Sequence, residues 1–416
     1  MYRFTGKTNK RQILKKKITI VGLNFYPEDT AIGLYSTQLA EYLVKNNFDV
    51  EVVTGFPYYP MWKIADDYLD KPKNYIEYHN GIKIIRYKQY IPKNPTFLKR
   101  ILLLLDFTFG AYKNSFKIKE TDLVFTVVPF TSSIFVGNKV AKKNKAKHWV
   151  HIQDFEFDAA AETSLVGNKK FLFQFLFWIE KKLLSKPHAL STISNAMLKK
   201  LNKKTNNNKD TFLLPNWVDV DKINPLKATV HPYLKSDKFK ILYSGNIGEK
   251  QDWELFLDVV KNLKDKEVEF VVVGSGAKKD WLQQQVKDLK NVSYYPPVPY
   301  AELSDLLCSA DLHILFQKNN VIDTVMPSKI LGMMASAKPS LITGNKQSEV
   351  ASIINKSKGG IYLQPNDYNQ VIEAISTLRT NSKNTGVNAR KYVKEHFSSG
   401  KVLEQFKNNF EKLINK

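Results

Sequence analysis

Short, unbroken runs of β-branched and apolar residues recur along this chain, each followed by a stretch with helical apolar spacing. That alternation restricts the fold more than any other feature. In the first half the runs are KITIVGL (17–23), DVEVVTG (49–55), IKIIRY (82–87), DLVFTVV (122–128), HWVHIQ (148–153) and ALSTIS (189–194). Helical segments between them include 32–46, 97–119, 132–143 and 169–185. In the second half the runs are KILYSG (240–245), VEFVVVG (268–274), VSYYP (292–296), LHILF (312–316), PSLIT (339–343) and GIYL (360–363). Continuous Val/Ile runs between helices signal strands buried on both faces, as in a parallel sheet covered by helices. Two such sets predict two doubly wound α/β domains.

The break between them is the polar, proline-containing stretch DVDKINPLKATVHPYLKSDK (219–238). The expected organisation is a basic arm over 1–16, a first domain over 17–222, a second over 223–398, and a final helix over 399–416. The last 26 residues read as two amphipathic helices hinged near Ser398–Gly400. No repeat with a 20–50-residue period is present.

The 416 residues suffice for two domains with substantial cores. The single cysteine, Cys308, rules out a disulfide framework and reads as a small buried apolar residue in LSDLLCSADLHIL. Net charge is +23. Nucleic acid, an anionic membrane surface and phosphorylated small molecules are the partner classes such a balance suits. No recognition helix, aromatic RNA-binding signature or zinc module points to nucleic acid.

Neither a signal peptide nor a membrane span is expected. The longest apolar stretch, ILLLLDFTFGAY (101–112), carries Asp106 and falls short of the ~20 residues a span needs. It follows Lys99 and Arg100. A second stretch, FLFQFLFWIEKKLL (171–184), carries Glu180, Lys181 and Lys182. Each suits a helix packed on a sheet or one lying flat on an anionic membrane.

In doubly wound folds, ligands bind outside the carboxyl ends of the strands. The residues that follow each strand therefore carry the functional reading. After the first strand, Gly33 opens an amphipathic helix whose amides could face an anion. After 240–245 comes GNIGEKQDWELF, with Gly245, Asn246, Gly248 and Lys250; after 268–274 comes SGAKKDW, with Gly274 and Gly276. Neither is a full dinucleotide fingerprint, and there is no Walker A sequence. After 312–316 the loop QKNNVIDTVMPS leads to Ser328 and Lys329.

A lysine in a first helical turn is unexpected, because the positive end of the helix dipole disfavours it by roughly 0.3–1 kcal/mol. Lys250 and Lys329 stand at strand-to-helix junctions on one sheet edge, where two ammonium groups and helix amides make a phosphate clamp. The plainer alternative is two solvated lysines.

VHIQDFEFDAA gathers His151, Gln153, Asp154, Glu156 and Asp158 at another strand end. A carboxylate there could orient an acceptor hydroxyl or take its proton; equally, Asp154 could simply cap a helix. Asp219-Val220-Asp221 matches a three-residue metal pattern but lies beside the linker and is rejected as a metal site. No His/Cys cluster has metal-ligand spacing, and no Ser/His/Asp nucleophile pattern occurs.

The segments FYPEDTAIGLYSTQLAEYL, VVTGFPYYPMW, VHIQDFEFDAA, LPNWVDVD, YSGNIGEKQDWELFLD and VMPSKILGMMASAKPS occur in the order seen in family 4 glycosyltransferases. The chain resembles the bacterial exopolysaccharide enzymes of the colanic acid type over residues 17–416. The resemblance implies a GT-B fold: two Rossmann-like domains facing a cleft, with the final helix crossing back onto the first. The nucleotide sugar would be held mainly by the second domain and the acceptor by the first. It further implies retention of anomeric configuration with no metal or cofactor, the donor phosphate accepting the acceptor's proton. By position, Lys250 and Lys329 match the family's basic pair on the diphosphate, Gly33 its glycine loop, and Asp154 the acidic position near the acceptor.

One departure stands out. The family's two glutamates, with seven residues between them, would fall at Thr324 and Gly332. The second normally holds the ribose, which Gly332 cannot do, and Asp323 is the nearest carboxylate that could stand in for the first. The segment thus keeps the phosphate-binding half of the family's loop and drops the ribose-binding half. The resulting expectation is a retaining enzyme that moves a sugar from a nucleotide diphosphate to a polyprenyl-diphosphate-linked glycan, working on the cytoplasmic face of an anionic membrane. The alternatives are a nucleotide-sugar epimerase of the same fold and a non-catalytic membrane-associated scaffold.

Overall fold

A computed structural model describes residues 15–29, 31–94, 96–158, 170–263, 265–319, 328–365 and 367–416. Contacts between residues divide the chain into two compact units, Met1–Leu190 with Phe410–Lys416, and Ser191–Asn409.

The first sheet contains β1 (Lys17–Val21), β2 (Asp49–Gly55), β3 (Asn74–His79), β4 (Ile82–Tyr87), β5 (Leu123–Val128), β6 (Lys147–Ile152), β7 (Ala189–Thr192) and β8 (Asp210–Leu213). Its order is β3-β4-β2-β1-β5-β6-β7-β8. β1 pairs in parallel with β2 and β5, β2 with β4, and β5 with β6. The helices are α1 (Ala31–Lys45), α2 (Phe97–Ser115), α3 (Ser132–Asn144), α4 (Lys170–Leu184) and α5 (Asn195–Lys204). Every residue of β5 is buried, as its unbroken LVFTVV run requires. On one face Leu103, Phe107 and Ala111 of α2 and Val136 and Val140 of α3 pack over Val21, Val53, Ile85 and Val124.

Two strands of this sheet escaped the sequence reading. β3 pairs antiparallel with β4 and its residues are at most half-buried, so it lacks the apolar run of its neighbours. His79 lies opposite Ile82, leaving Asn80 and Gly81 as a two-residue turn with φ of 47° and 81°. Asn-Gly is the preferred pair for such a hairpin, and the dipeptide was the available signal. β8 is short and similarly half-exposed. The helix expected over 97–119 ends at Ser115 instead. Beyond it the Lys143 ammonium captures the carbonyls of Phe116 and Ile118, at 3.2 and 3.1 Å.

The second sheet is wholly parallel, in the order β11-β10-β9-β12-β13-β14. Its strands are β9 (Phe239–Asn246), β10 (Val268–Ser275), β11 (Val292–Tyr295), β12 (Leu312–Phe316), β13 (Ser340–Thr343) and β14 (Gly360–Leu363). The helices are α6 (Trp253–Asn262), α7 (Lys279–Val286), α8 (Leu303–Ser309), α9 (Ser328–Ala335), α10 (Glu349–Ser357), α11 (Tyr368–Thr380), α12 (Ser382–His396) and α13 (Ser399–Asn415). Side-chain caps fix several starts: Asp252 accepts from Leu255 N at 3.1 Å to open α6, and Ser348 from Ala351 N at 3.1 Å to open α10. Cys308, expected to be buried, is half-buried at the edge of the core.

α12 and α13 meet at Phe397–Ser398, close to the expected hinge. Near the end of α13, Phe410 is fully buried, edge-on to Phe125 of β5 and Trp149 of β6 at 5.1 and 4.9 Å.

Candidate functional site

In the second sheet, β9 lies between β10 and β12. The crossovers to those strands leave in opposite directions, so the carboxyl ends of β9 and β12 form a topological switch point. Backbone geometry there depends on glycine. Gly245 of β9 lies opposite Gly274 of β10. A Cβ on Gly274 would come within 2.0 Å of the Gly245 carbonyl oxygen, and one on Gly276 (φ +155°) within 2.4 Å of the Ile247 oxygen. The two loops are stitched by Ile247 N to Ser275 O and Lys278 N to Ile247 O, both 2.9 Å.

Lys329, second residue of α9, turns its side chain onto this edge. Its Nζ would be 2.9 Å from a Cβ on Gly245, so the glycine makes room for it. The ammonium donates to the Tyr243 hydroxyl at 3.2 Å and lies 5.0 Å from the ring centre. The phenol in turn donates to the Asn246 carbonyl. Tyr243 is buried, which raises its pKa and keeps it a neutral donor. Its ring packs edge-on to Trp253 at 4.8 Å, and the Trp253 indole N–H donates to Gly248 O at 3.1 Å. A relay from ammonium to phenol to backbone therefore fixes a cation beside two glycine-lined strand ends. This placement shows what a lysine in the first turn of α9 reaches: its ammonium is held at the strand edge by Tyr243, beside Gly245.

Lys250 lies in the exposed turn between β9 and α6. Its carbonyl accepts from Lys318 N at 3.1 Å, and Asp252 N donates to Phe316 O at 3.0 Å, so the loops after β9 and β12 are joined. Asn246 is exposed at the end of β9, and Ser328 is the first residue of α9. Asp323 and Thr324 lie outside the described residues. Gly332 faces the core, where a Cβ would meet Leu307 at 3.1 Å and Ile223 at 3.6 Å. A carboxylate at 332 would thus be aimed into apolar side chains. Asp219, of the rejected metal pattern, accepts from Asp221 N and Lys222 N at 3.0 Å and forms a turn. Among the described residues, no group of three or more His, Cys, Asp or Glu is placed to hold a metal ion.

Carboxylates fasten the strand ends of the first sheet. Gly33 sits in α1, where a Cβ would come within 2.7 Å of Glu28 Cβ and 2.9 Å of its carbonyl oxygen. Glu28, which sequence reasoning passed over, is buried. One of its oxygens accepts from the amides of Tyr58 and Tyr59, each at 2.9 Å, and the other from Asn24 Nδ2 at 2.8 Å. Burial raises its pKa against those hydrogen bonds, which lower it. Arg86, fully buried, donates to Gly55 O at 2.9 Å, to Tyr26 O, and to Glu77 at 2.5 Å. Together Glu28 and Arg86 tie the loop after β1 to the loop after β2. No local sequence signal could have disclosed this, because the partners lie some 30–60 positions apart.

After β6, His151 is buried and stacked 5.8 Å from Phe125. Gln153 Nε2 donates to its Nε2 at 3.0 Å, and burial lowers its pKa to about 3, leaving the ring neutral. Asp154 is half-buried in the following turn. Glu156 accepts from Thr131 N at 3.1 Å at the start of α3, and burial raises its pKa to about 7, with Glu180 and Asp154 adding repulsion. The structure therefore gathers Gly245, Asn246, Gly274 and Lys329 at one sheet edge, and Gln153, Asp154 and Glu156 at another.

Residues 238–381 match the family described as glycosyl transferases group 1. Over 406 residues the chain is 29% identical to the putative colanic acid biosynthesis glycosyl transferase WcaI of Escherichia coli K12, covering 94% of this chain and 99% of that one. It is 23% identical to the uncharacterized glycosyltransferase MJ1069 of Methanocaldococcus jannaschii, covering 83% and 88%. Among solved structures it is similar to sucrose-phosphate synthase from Thermosynechococcus elongatus, with a TM-score of 0.73 at 15% identity over 96% of this chain and all of that one. It is also similar to Anabaena Alr3699/HepE in complex with UDP-glucose, with a TM-score of 0.65 at 13% identity over 95% and 99%. The chain has the GT-B fold and is a glycosyltransferase, and its residues 238–381 match the glycosyl transferases group 1 family.

Proposed function

We propose that the enzyme transfers a sugar from a nucleotide diphosphate sugar, with retention of configuration, to a polyprenyl-diphosphate-linked glycan in exopolysaccharide or surface-glycan synthesis. The observation that carries this reading is the Lys329 ammonium, held by Tyr243 beside Gly245 and Gly274 at the switch point of the second sheet. A fixed cation and close-approach backbone suit a diphosphate better than a neutral ligand. The likeness to WcaI, named for colanic acid biosynthesis, supports the glycan class, and the likeness to a fold solved with UDP-glucose supports a nucleotide-sugar donor.

In this reading the bond between the anomeric carbon and the diphosphate breaks while a bond to the acceptor oxygen forms. The acceptor's proton passes to the departing phosphate oxygen. Lys329, with Lys250 on the same edge, stabilises the charge that develops on the diphosphate. Asp154 orients the acceptor hydroxyl, with His151 and Gln153 setting the strand end from which it projects. Asp323 stands in for the family's first glutamate. The reaction needs no metal or cofactor. The enzyme works peripherally on the cytoplasmic face of an anionic membrane; among the described residues no helix is long and apolar enough to cross one.

The test is a thermal-shift panel of UDP, GDP, ADP and their sugar conjugates, followed by transfer to a polyprenyl-diphosphate sugar with the product anomer read by NMR. A ligand at about 100 times its Kd adds about 2.7 kcal/mol of stability. Stabilisation by one nucleotide class and a product of retained configuration support the reading. Inversion, or binding without turnover on any lipid-linked acceptor, overturns it.

A further inference from the structure

Among the described residues, the outward face of the first unit's α2–α3–α4 layer is apolar and basic, with no exposed acidic side chain. α2 packs against β2 and β4, α3 against β1, β5 and β6, and α3 touches both α2 and α4, so the three helices form one contiguous layer. Leu102, Leu105 and Phe109 recur at helical spacing on α2, with Phe116 just beyond its end. They are 55–60% exposed, on the opposite side from buried Leu103, Phe107 and Ala111. Phe135 of α3 and Phe175 and Trp178 of α4 extend the patch, with Phe175 and Trp178 stacked at 6.0 Å and each more than half exposed. Isolated exposed apolar residues are ordinary; a contiguous set of large ones marks an interaction surface.

The charges on this face point to the partner. Lysines lie across the exposed rings: Lys113 over Phe109 at 4.3 Å, Lys139 over Phe135 at 5.4 Å, Lys143 over Phe116 at 5.6 Å and Lys182 over Trp178 at 4.3 Å. Beside Phe135 opens a cavity of about 500 Å³ lined by Lys139, Lys142, Lys145, Lys186 and His188. The three helices hold two acidic residues, and both are engaged or buried. Asp106 accepts from the Tyr87 hydroxyl at 2.8 Å and from Tyr90 N at 2.6 Å, and Glu180 is buried. Apolar side chains ringed by ammonium groups, with no carboxylate among them, match the boundary between phosphate headgroups and acyl chains.

We propose that this face docks on an anionic phospholipid bilayer. Leu102, Leu105, Phe109, Phe116, Phe175 and Trp178 enter the acyl boundary, and the lysine-lined cavity receives a lipid phosphate. The proposal deepens the lipid-acceptor reading above and rests on it only for its purpose, since docking requires neither sugar nor nucleotide.

The test is co-sedimentation of the full chain with phosphatidylcholine vesicles, with and without phosphatidylglycerol, alongside Trp178 fluorescence. Wild-type protein is expected to bind the anionic vesicles, lose most but not all of that binding as salt rises, and shift its emission to the blue; Trp178→Phe removes the shift. Lys139→Gln, Lys142→Gln and Lys186→Gln together are expected to weaken binding about a hundredfold, at about fivefold per lysine. Phe109→Ser with Phe116→Ser is expected to remove the binding that survives in high salt. All variants should keep the nucleotide-induced thermal shift, which separates failure here from failure of the donor reading. Equal binding to both vesicle types, or a lysine variant that binds like wild type, overturns the proposal. So does a wild-type protein that ignores vesicles but self-associates through Phe109 and Trp178, which would assign the face to a second copy of the chain.

Discussion

The two sheets share a winding order, yet their strand ends carry opposite chemistry. At the β9–β12 edge the loops are opened by Gly245, Gly274 and Gly276, and the fixed charge is the Lys329 ammonium. At the β1–β5 edge the loops are closed around carboxylates, buried Glu28 on the Tyr58 and Tyr59 amides and half-buried Glu156 on the Thr131 amide. One edge exposes backbone to a cation's field; the other uses its carboxylates as internal fasteners. A shared fold therefore sets where ligands bind, while the side chains after each strand set which ligand charge is welcome. In the proposed function, the first edge takes the donor's diphosphate and the second the acceptor's hydroxyl.

The largest expected effect comes from removing the cation. Lys329→Met should lower transfer by about 10²–10³-fold, the range seen when one donor to a developing anion is lost. Its melting temperature should stay near that of wild type, because Tyr243 keeps its bond to Asn246. Steady-state kinetics beside a melt would check this; undiminished turnover would remove Lys329 from the site.

Gly274→Ala should follow. Its Cβ would press on the Gly245 carbonyl at 2.0 Å, and overpacking of this kind costs about 1–3 kcal/mol. Urea titration should show that loss, with weaker nucleotide binding alongside. A variant as stable as wild type would mean that the strand ends relax freely.

Glu28→Ala sharpens the contrast from the other edge. It strips the buried Tyr58 amide of its acceptor, a loss of about 1–3 kcal/mol. Nucleotide affinity should not change, since nothing in the glycine-lined edge depends on Glu28. A large fall in nucleotide affinity would show that the two edges are not chemically separate.

The smallest effect concerns pH. Glu156, with its pKa raised to about 7, binds a proton more tightly folded than unfolded. Its contribution to stability is therefore fully present below the unfolded value near 4.5 and is lost as pH rises through about 7. Glu156→Gln should remove that part of the slope, measured as the difference between wild-type and variant stability from pH 4.5 to 7. Identical pH dependence in the two proteins would mean that Glu156 is solvated.

Much of this was legible in the sequence, because the signals were local. Unbroken Val/Ile runs gave the parallel strands, and the glycines and lysines that follow them marked the strand edges. What sequence reading missed was non-local or half-exposed. β3 lacks an apolar run because it is an edge strand, although Asn80-Gly81 announced its hairpin. Glu28 and Arg86 looked like ordinary charges, because their backbone partners lie far off along the chain. Gly332 departs from the family's pattern, and its surroundings, Leu307 and Ile223, come from segments distant along the chain.

The central claim is that Lys329 marks the donor-diphosphate subsite, and calorimetry tests it directly. Wild type and Lys329→Met would each be titrated with the preferred nucleoside diphosphate and with the matching monophosphate. The account predicts that the variant loses at least about tenfold in diphosphate affinity, about 1.4 kcal/mol, while its monophosphate affinity changes little. Equal loss for both ligands, or none for either, would contradict it.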